Sequence, residues 1–217
     1  MADIRQSVTI KDDFNRANAD PVGAPWATAN SGGWAQMAIS SNQLIGTQTP
    51  PTSSGSYWTT RSWDYDQAEV WATAVGTVGN NEDWRLGLMR DDGVGVRDGY
   101  TLHYGLSAGN DFWQFRRYDD GSFTGIALDD NPSVTLGSGS LALVRRNGAN
   151  VEGWVSTDGG ANWTNVLTAT NDTTYTTGLY AMLGAGGNVM GWDDFGGGPL
   201  ITPQQHYRWL PVPTPTP

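Results

Sequence analysis

The feature that most constrains this chain is a period-two alternation of apolar and polar residues, carried in short runs and cut by turn dipeptides. Successive side chains of an extended strand point to opposite faces, so each such run reads as a strand with one buried and one wetter side. The runs predict strands over residues 8–14, 34–40, 43–47, 56–63, 68–77, 84–90 and 100–106. They continue over 112–118, 125–129, 140–146, 150–156, 164–170, 179–185 and 189–195. Asp92-Gly93, Asp98-Gly99, Asp120-Gly121, Asn147-Gly148 and Asp158-Gly159 stand as turn signals, because these pairs accept the positive φ of tight hairpins. No window keeps helical spacing for three turns, since glycines and β-branched residues interrupt each one. The expectation is an all-β chain of two packed antiparallel sheets.

Composition agrees. The 217 residues include 29 Gly and 11 Pro with only 16% charged side chains, the balance of many short strands joined by turns. A chain of this length buries about 70% of its unfolded surface and needs no covalent staple. It has no Cys, which excludes disulfides and thiolate metal sites. Trp is the oddity, at 11. Each buries about 200 Å², so a few suffice for a core, and the rest are expected on a binding surface.

The net charge of −10 and pI near 4.4 disfavour a phosphate backbone or an anionic bilayer as partner. No basic cluster exceeds Arg116-Arg117 or Arg145-Arg146, so neither nucleic acid nor membrane is expected. The acids are nearly all Asp, which suits turns and calcium loops; the Glu residues are Glu69, Glu82 and Glu152. Met1-Ala2-Asp3-Ile4-Arg5 carries no apolar signal core, and no segment reaches transmembrane length.

Two motifs bracket the strands. Asp12-Asp13-Phe14-Asn15-Arg16-Ala17-Asn18, followed by a turn at Gly23-Ala24-Pro25-Trp26, resembles the opening of concanavalin A-like, laminin-G-like jelly-roll domains. Gly191-Trp192-Asp193-Asp194-Phe195 resembles the closing strand of the same family. The resemblance implies a lectin-like jelly-roll sandwich over residues 1–198, its first and last strands side by side. It also implies a calcium site near the joined ends, for which Asp12, Asp13, Asp193 and Asp194 could supply hard oxygen ligands. The competing reading gives one Asp of each pair a turn to cap and leaves the other in water. No cofactor is required by the residues themselves.

Ser156-Thr157-Asp158-Gly159-Gly160-Ala161-Asn162-Trp163 fits the Asp-box pattern of sialidase propellers, which implies a braced hairpin and not a catalytic site. The Glu-x-Asp-x-x-Glu strand of jelly-roll glucanases is missing, and His103 and His206 form no metal or triad grouping with other residues. The expectation is a protein that binds and does not catalyse. Its aromatic rows point to glycans, with Tyr104, Trp113 and Arg117 as candidate contacts; the competing reading puts such rows in the core.

Gly196-Gly197-Gly198 reads as a hinge, after which residues 199–217 read as an extended Pro-rich arm. The arm is expected to dock on another virion protein or a second copy through Tyr207, Trp209, Pro211 and Pro213; the alternative is a linker stub. Together these features predict a structural or binding protein of a bacteriophage virion, such as a minor tail or capsid decoration subunit, adsorbing to host-surface polysaccharide. The alternative is a secreted bacterial carbohydrate-binding module.

Overall fold

A computed structural model describes residues 9–28, 34–48, 52–59, 67–90 and 98–200. Among these, every regular element is a strand. In chain order they are β1 (Ile10–Asp12), β2 (Trp26–Thr28), β3 (Trp34–Ala35), β4 (Ala38–Ser40), β5 (Gln43–Ile45) and β6 (Ser53–Trp58). The long strands follow: β7 (Gln67–Gly76), β8 (Glu82–Arg90), β9 (Asp98–Ser107), β10 (Asn110–Asp119) and β11 (Ser122–Asp129). The last five are β12 (Leu141–Asn147), β13 (Asn150–Ser156), β14 (Thr164–Ala169), β15 (Leu179–Ala185) and β16 (Met190–Pro199). The first sheet runs β14-β13-β12-β7-β16-β5-β4, with β1 added alongside β16. The second runs β11-β10-β9-β8-β15-β6-β2, with the short β3 lying parallel to β6.

The core lies between the sheets. The second sheet contributes bulk: Trp84 and Leu86 from β8, Tyr100, Leu102 and Tyr104 from β9, Trp113 and Phe115 from β10. Much of the first answers with small side chains, Ala68, Val70, Ala72 and Ala74 from β7 and Ala142 and Val144 from β12, so the two faces interdigitate. Tyr104 packs between Trp84 and Trp113, at centroid distances of 6.1 and 4.7 Å. Three buried indole N–H groups find carbonyls: Trp84 donates to Gly191 at 3.0 Å, Trp113 to Val134 at 2.8 Å and Trp192 to Gly184 at 2.9 Å. An orphaned buried donor would cost roughly 1–3 kcal/mol. Trp71, Leu141 and Leu143 build a further buried layer on the outer side of the first sheet, with Trp154 and Trp163 packed on it.

The two Asp-Asp-Phe segments do meet, Ile10 pairing with Gly196 and Asp12 with Phe195. Asp12 is the latch. Its carboxylate accepts Arg16 Nη1 at 2.6 Å and Nη2 at 3.1 Å, the Trp26 indole N–H at 2.7 Å and the Phe14 backbone N–H at 2.9 Å. Trp26 in turn packs on Phe14, Trp58 and Phe195, with centroids 5.1–5.7 Å apart.

Three turn and hinge expectations are corrected. Gly196–Gly198 form no hinge: they belong to β16 and pair with Glu69, Val70 and Trp71 of β7, and Leu200 N–H still donates to Gln67. A Cβ on Gly196 would sit 2.3 Å from the Trp71 indole, so this glycine answers a close approach. Asp98-Gly99 opens β9 instead of turning, and the Asp98 carboxylate accepts the Asp120 N–H at 2.8 Å. Trp26, expected only in a turn, also begins β2. The Asp92-Gly93 turn and the arm anchors Tyr207, Trp209, Pro211 and Pro213 lie outside the described residues.

Asp12→Ala leaves a charged guanidinium and a buried indole N–H without their acceptor, an expected cost of about 2–4 kcal/mol in urea unfolding. Arg16→Ala should cost only about 1 kcal/mol, since the Arg16 side chain is 35% exposed.

Candidate functional site

Because Trp84, Leu86, Tyr104 and Phe115 point inward, their neighbours in sequence line the outward face of the second sheet. Register places Arg85, His103 and Gln114 in one row across β8, β9 and β10, with Thr101 and Arg116 in the next. Asp83, Gly105 and Phe112 form the row on the other side. Glycines let neighbouring side chains pack close on this face. A Cβ on Gly105 would come within 2.8 Å of Phe112 and Asp83, and one on Gly186 within 2.3 Å of the Asp83 carboxylate. The result is a cleft of about 500 Å³ lined by Asn81, Glu82, Asp83, Arg85, Leu106, Ser107, Phe112 and Arg116.

A buried polar network floors it. Asp83 Oδ1 accepts Arg85 Nε at 2.9 Å and Nη2 at 2.8 Å, and Oδ2 lies 2.8 Å from His103 Nδ1. His103 Nε2 lies 2.7 Å from Thr101 Oγ1. Burial alone would push the Asp83 carboxyl up, but the Arg85 guanidinium and the His103 hydrogen bond hold it well below the usual carboxylate range. Burial, followed by the nearby Arg116 charge, pushes the fully buried His103 down to about 3. An ionised Asp83 only accepts, so the neutral imidazole carries its proton on Nδ1 and takes the Thr101 hydroxyl proton at Nε2. Arg85 also lies over the Trp34 ring, at 5.0 Å, and Trp34 meets Tyr118 edge-on at 5.8 Å. Met89, Met182 and Tyr118 extend this into an apolar half of the same face.

Neither of the expected aromatic contacts is on this surface. Tyr104 is 3% exposed and Trp113 1%, both inside the core, so neither offers a ring face to a sugar. Arg117 pairs with Asp119 at 3.1 Å and Asp172 at 3.0 Å. It stands in a second cleft of about 330 Å³ with Ile126 and residues 169–174. Asp172 there falls to about 2: burial opposes this, but hydrogen bonds from Tyr100, the Thr174 N–H and Arg117 outweigh it.

The four candidate calcium ligands are brought close enough for Asp12, Asp13 and Asp194 to raise the Asp193 carboxyl, together with its burial. Three of them are engaged within the fold. Asp12 is committed to Arg16 and Trp26, Asp13 caps the Asn15 N–H at 3.1 Å, and Asp193 caps the Asp194 N–H at 2.9 Å. Among the described residues no group of three or more His, Cys, Asp or Glu is placed to hold a metal. The Asp-box hairpin is braced as its pattern implies. Asp158 accepts the Ser156 hydroxyl at 2.7 Å and the Asn162 N–H at 2.9 Å, and the Trp163 indole closes on Gly160 O at 3.1 Å.

The network sets a pH dependence. A histidine at about 3 in the fold and 6.5 when unfolded takes its proton only on unfolding. Stability is therefore full above pH 6.5 and declines as the pH falls, by at most about 1.4 kcal/mol per unit, with Asp83 adding to the loss below about pH 4. Urea melts at pH 6.5 and 4.5 should show this slope in the parent chain and a flatter one in His103→Asn.

No protein-family model and no curated protein sequence matches the chain. Solved structures do. The CBM2 module of the Lactobacillus casei BL23 phage J-1 evolved Dit aligns at TM-score 0.55 and 10% identity, over 91% of this chain and 97% of that one. The Emp47p carbohydrate recognition domain aligns at 0.59 and 13%, over 90% and 96%. The exoplasmic/lumenal domain of VIP36 in its Ca2+/Man-bound form aligns at 0.59 and 12%, over 82% and 84%. Endo-acting O-glycanases of the human gut microbiota are also represented among the matches. Sheet order, joined ends and these likenesses together identify the fold as a concanavalin A-like, lectin-like jelly-roll sandwich.

Proposed function

We propose that this domain binds glycans on the outward face of its second sheet, in the cleft between Asn81 and Arg116, and does not cleave them. The observation that carries this reading is the cleft itself. Guanidinium groups, a fixed carboxylate and the Phe112 ring converge there from the strands β8, β9 and β10, which hold them rigidly. Sugars present directional hydroxyls around an apolar ring face, and such a mixed wall answers both.

The electrostatics favour holding over cleaving. A glycosidase acid must keep its proton near working pH, whereas Asp83 is held ionised by Arg85 and His103. Glu82, the other carboxylate of the cleft, accepts the Gly79 N–H at 2.6 Å. The context we propose is a phage virion, in which residues 199–217 dock the domain on another virion protein or a second copy. The likeness to the phage J-1 module supports that context. The likeness to Emp47p and VIP36 supports equally an extracellular carbohydrate-binding module outside any phage.

A glycan array followed by affinity electrophoresis tests the site. Phe112→Ala should weaken binding about ten-fold, the loss of roughly 1.4 kcal/mol of ring contact. If Arg117→Ala abolishes binding while Phe112→Ala leaves it intact, the smaller cleft is the site and this assignment fails. Removing residues 201–217 should release the domain from its particle partner without changing glycan affinity.

A further inference from the structure

The charges of the cleft are not evenly settled, and the imbalance bears on which glycan it takes. Arg85 is spent on Asp83, to which it gives both Nε and Nη2. His103 is neutral for the reasons above. Glu82 is turned to the Gly79 backbone. That leaves Arg116. Its Nε donates to Gln114 Oε1 at 2.6 Å, and its guanidinium lies over the Phe123 ring at 4.5 Å, which fixes the plane of the fork. Among the described residues no carboxylate engages Nη1 or Nη2, although Arg16, Arg85, Arg117 and Arg145 all have one.

A half-buried guanidinium in a chain of net charge −10 has many acidic side chains within the same molecule, yet among the described residues this one has no carboxylate partner, at the wall of the cleft. Its free edge is the part that pairs two N–H donors with the two oxygens of an anionic group. Phe112, on the same wall, and Phe123, 56% exposed beneath the guanidinium, supply apolar surface for the ring that would carry such a group.

We propose that the glycan bound here is acidic, and that Arg116 reads its anionic substituent, a carboxylate in the first instance. This rests on the glycan-binding reading above and narrows it. The overall negative charge sharpens the prediction: the chain repels polyanions at long range, so acidic glycan binding cannot be general adhesion and must come from a local cation.

The test uses matched pairs on the full chain: polygalacturonate against its methyl ester, and dextran sulfate against dextran, by affinity electrophoresis and calorimetry. The expected result is at least ten-fold tighter binding of polygalacturonate than of its ester. Preference should fall to about one in Arg116→Gln and be partly kept in Arg116→Lys, with the melting temperature of each variant confirming the fold. Preference for dextran sulfate over dextran without one for polygalacturonate overturns the carboxylate assignment. Equal binding of charged and neutral partners, unchanged in Arg116→Gln, overturns the acidic reading and leaves glycan binding standing. Binding to none of these polymers nor to any glycan on the array overturns both.

Discussion

The packing of Trp84, Tyr104 and Trp113 between the sheets is the contact on which the rest of the structure depends. These side chains sit on three adjacent strands and fill the space left by the alanines of β7. Their inward direction fixes the register of β8, β9 and β10, because a slip of one residue would turn all three rings out of the core and set Asp83, Arg85 and His103 among its apolar side chains. Asp83, Arg85, His103 and Arg116 face outward for that reason. The cleft is thus the reverse side of the core.

The same geometry explains what was legible in the sequence. Strand rhythm located most of the long strands, and the two Asp-Asp-Phe segments announced that the first and last described strands pair. The rhythm also held the site, but on its other phase. Tyr100, Leu102 and Tyr104 drew attention as aromatic or apolar residues at period two, and they are core. The signal that could have found the site was the alternate set: Asp83 and Arg85 flanking Trp84, Thr101 and His103 between the tyrosines, Gln114 and Arg116 around Phe115. A row of charged and polar residues between rows of large aromatics marks the polar face of a sheet. Which strands lie side by side, however, is set by long-range pairing that no local pattern encodes. The contact of Trp34 in β3 with Arg85 in β8 was therefore illegible.

The Asp12 carboxylate shows how an acidic motif at the joined strands can serve the fold itself. Read alone, four aspartates at two meeting ends suggest a hard cation. In the fold Asp12 already has its cation, Arg16, four residues on, and its second oxygen takes the Trp26 indole. The Asp-x-x-x-Arg spacing and the later Gly-x-x-Trp turn are then one device that fastens the first strand to the aromatic end of the core. Asp158 plays a similar local part at the Asp-box hairpin, where hydrogen bonds from Asn162 and Ser156 hold it down to about 2.

The central claim is that ligand binds on the outward face of the second sheet. The measurement that bears on it most directly is an NMR titration of backbone amides with the best glycan from the array. Shifts should concentrate at Asn81–Arg85, Leu106, Ser107 and Phe112–Arg116, on adjacent strands of one sheet. Shifts confined to Asp12–Arg16 with Asp193–Phe195, or to Arg117 with residues 169–174, would contradict that claim.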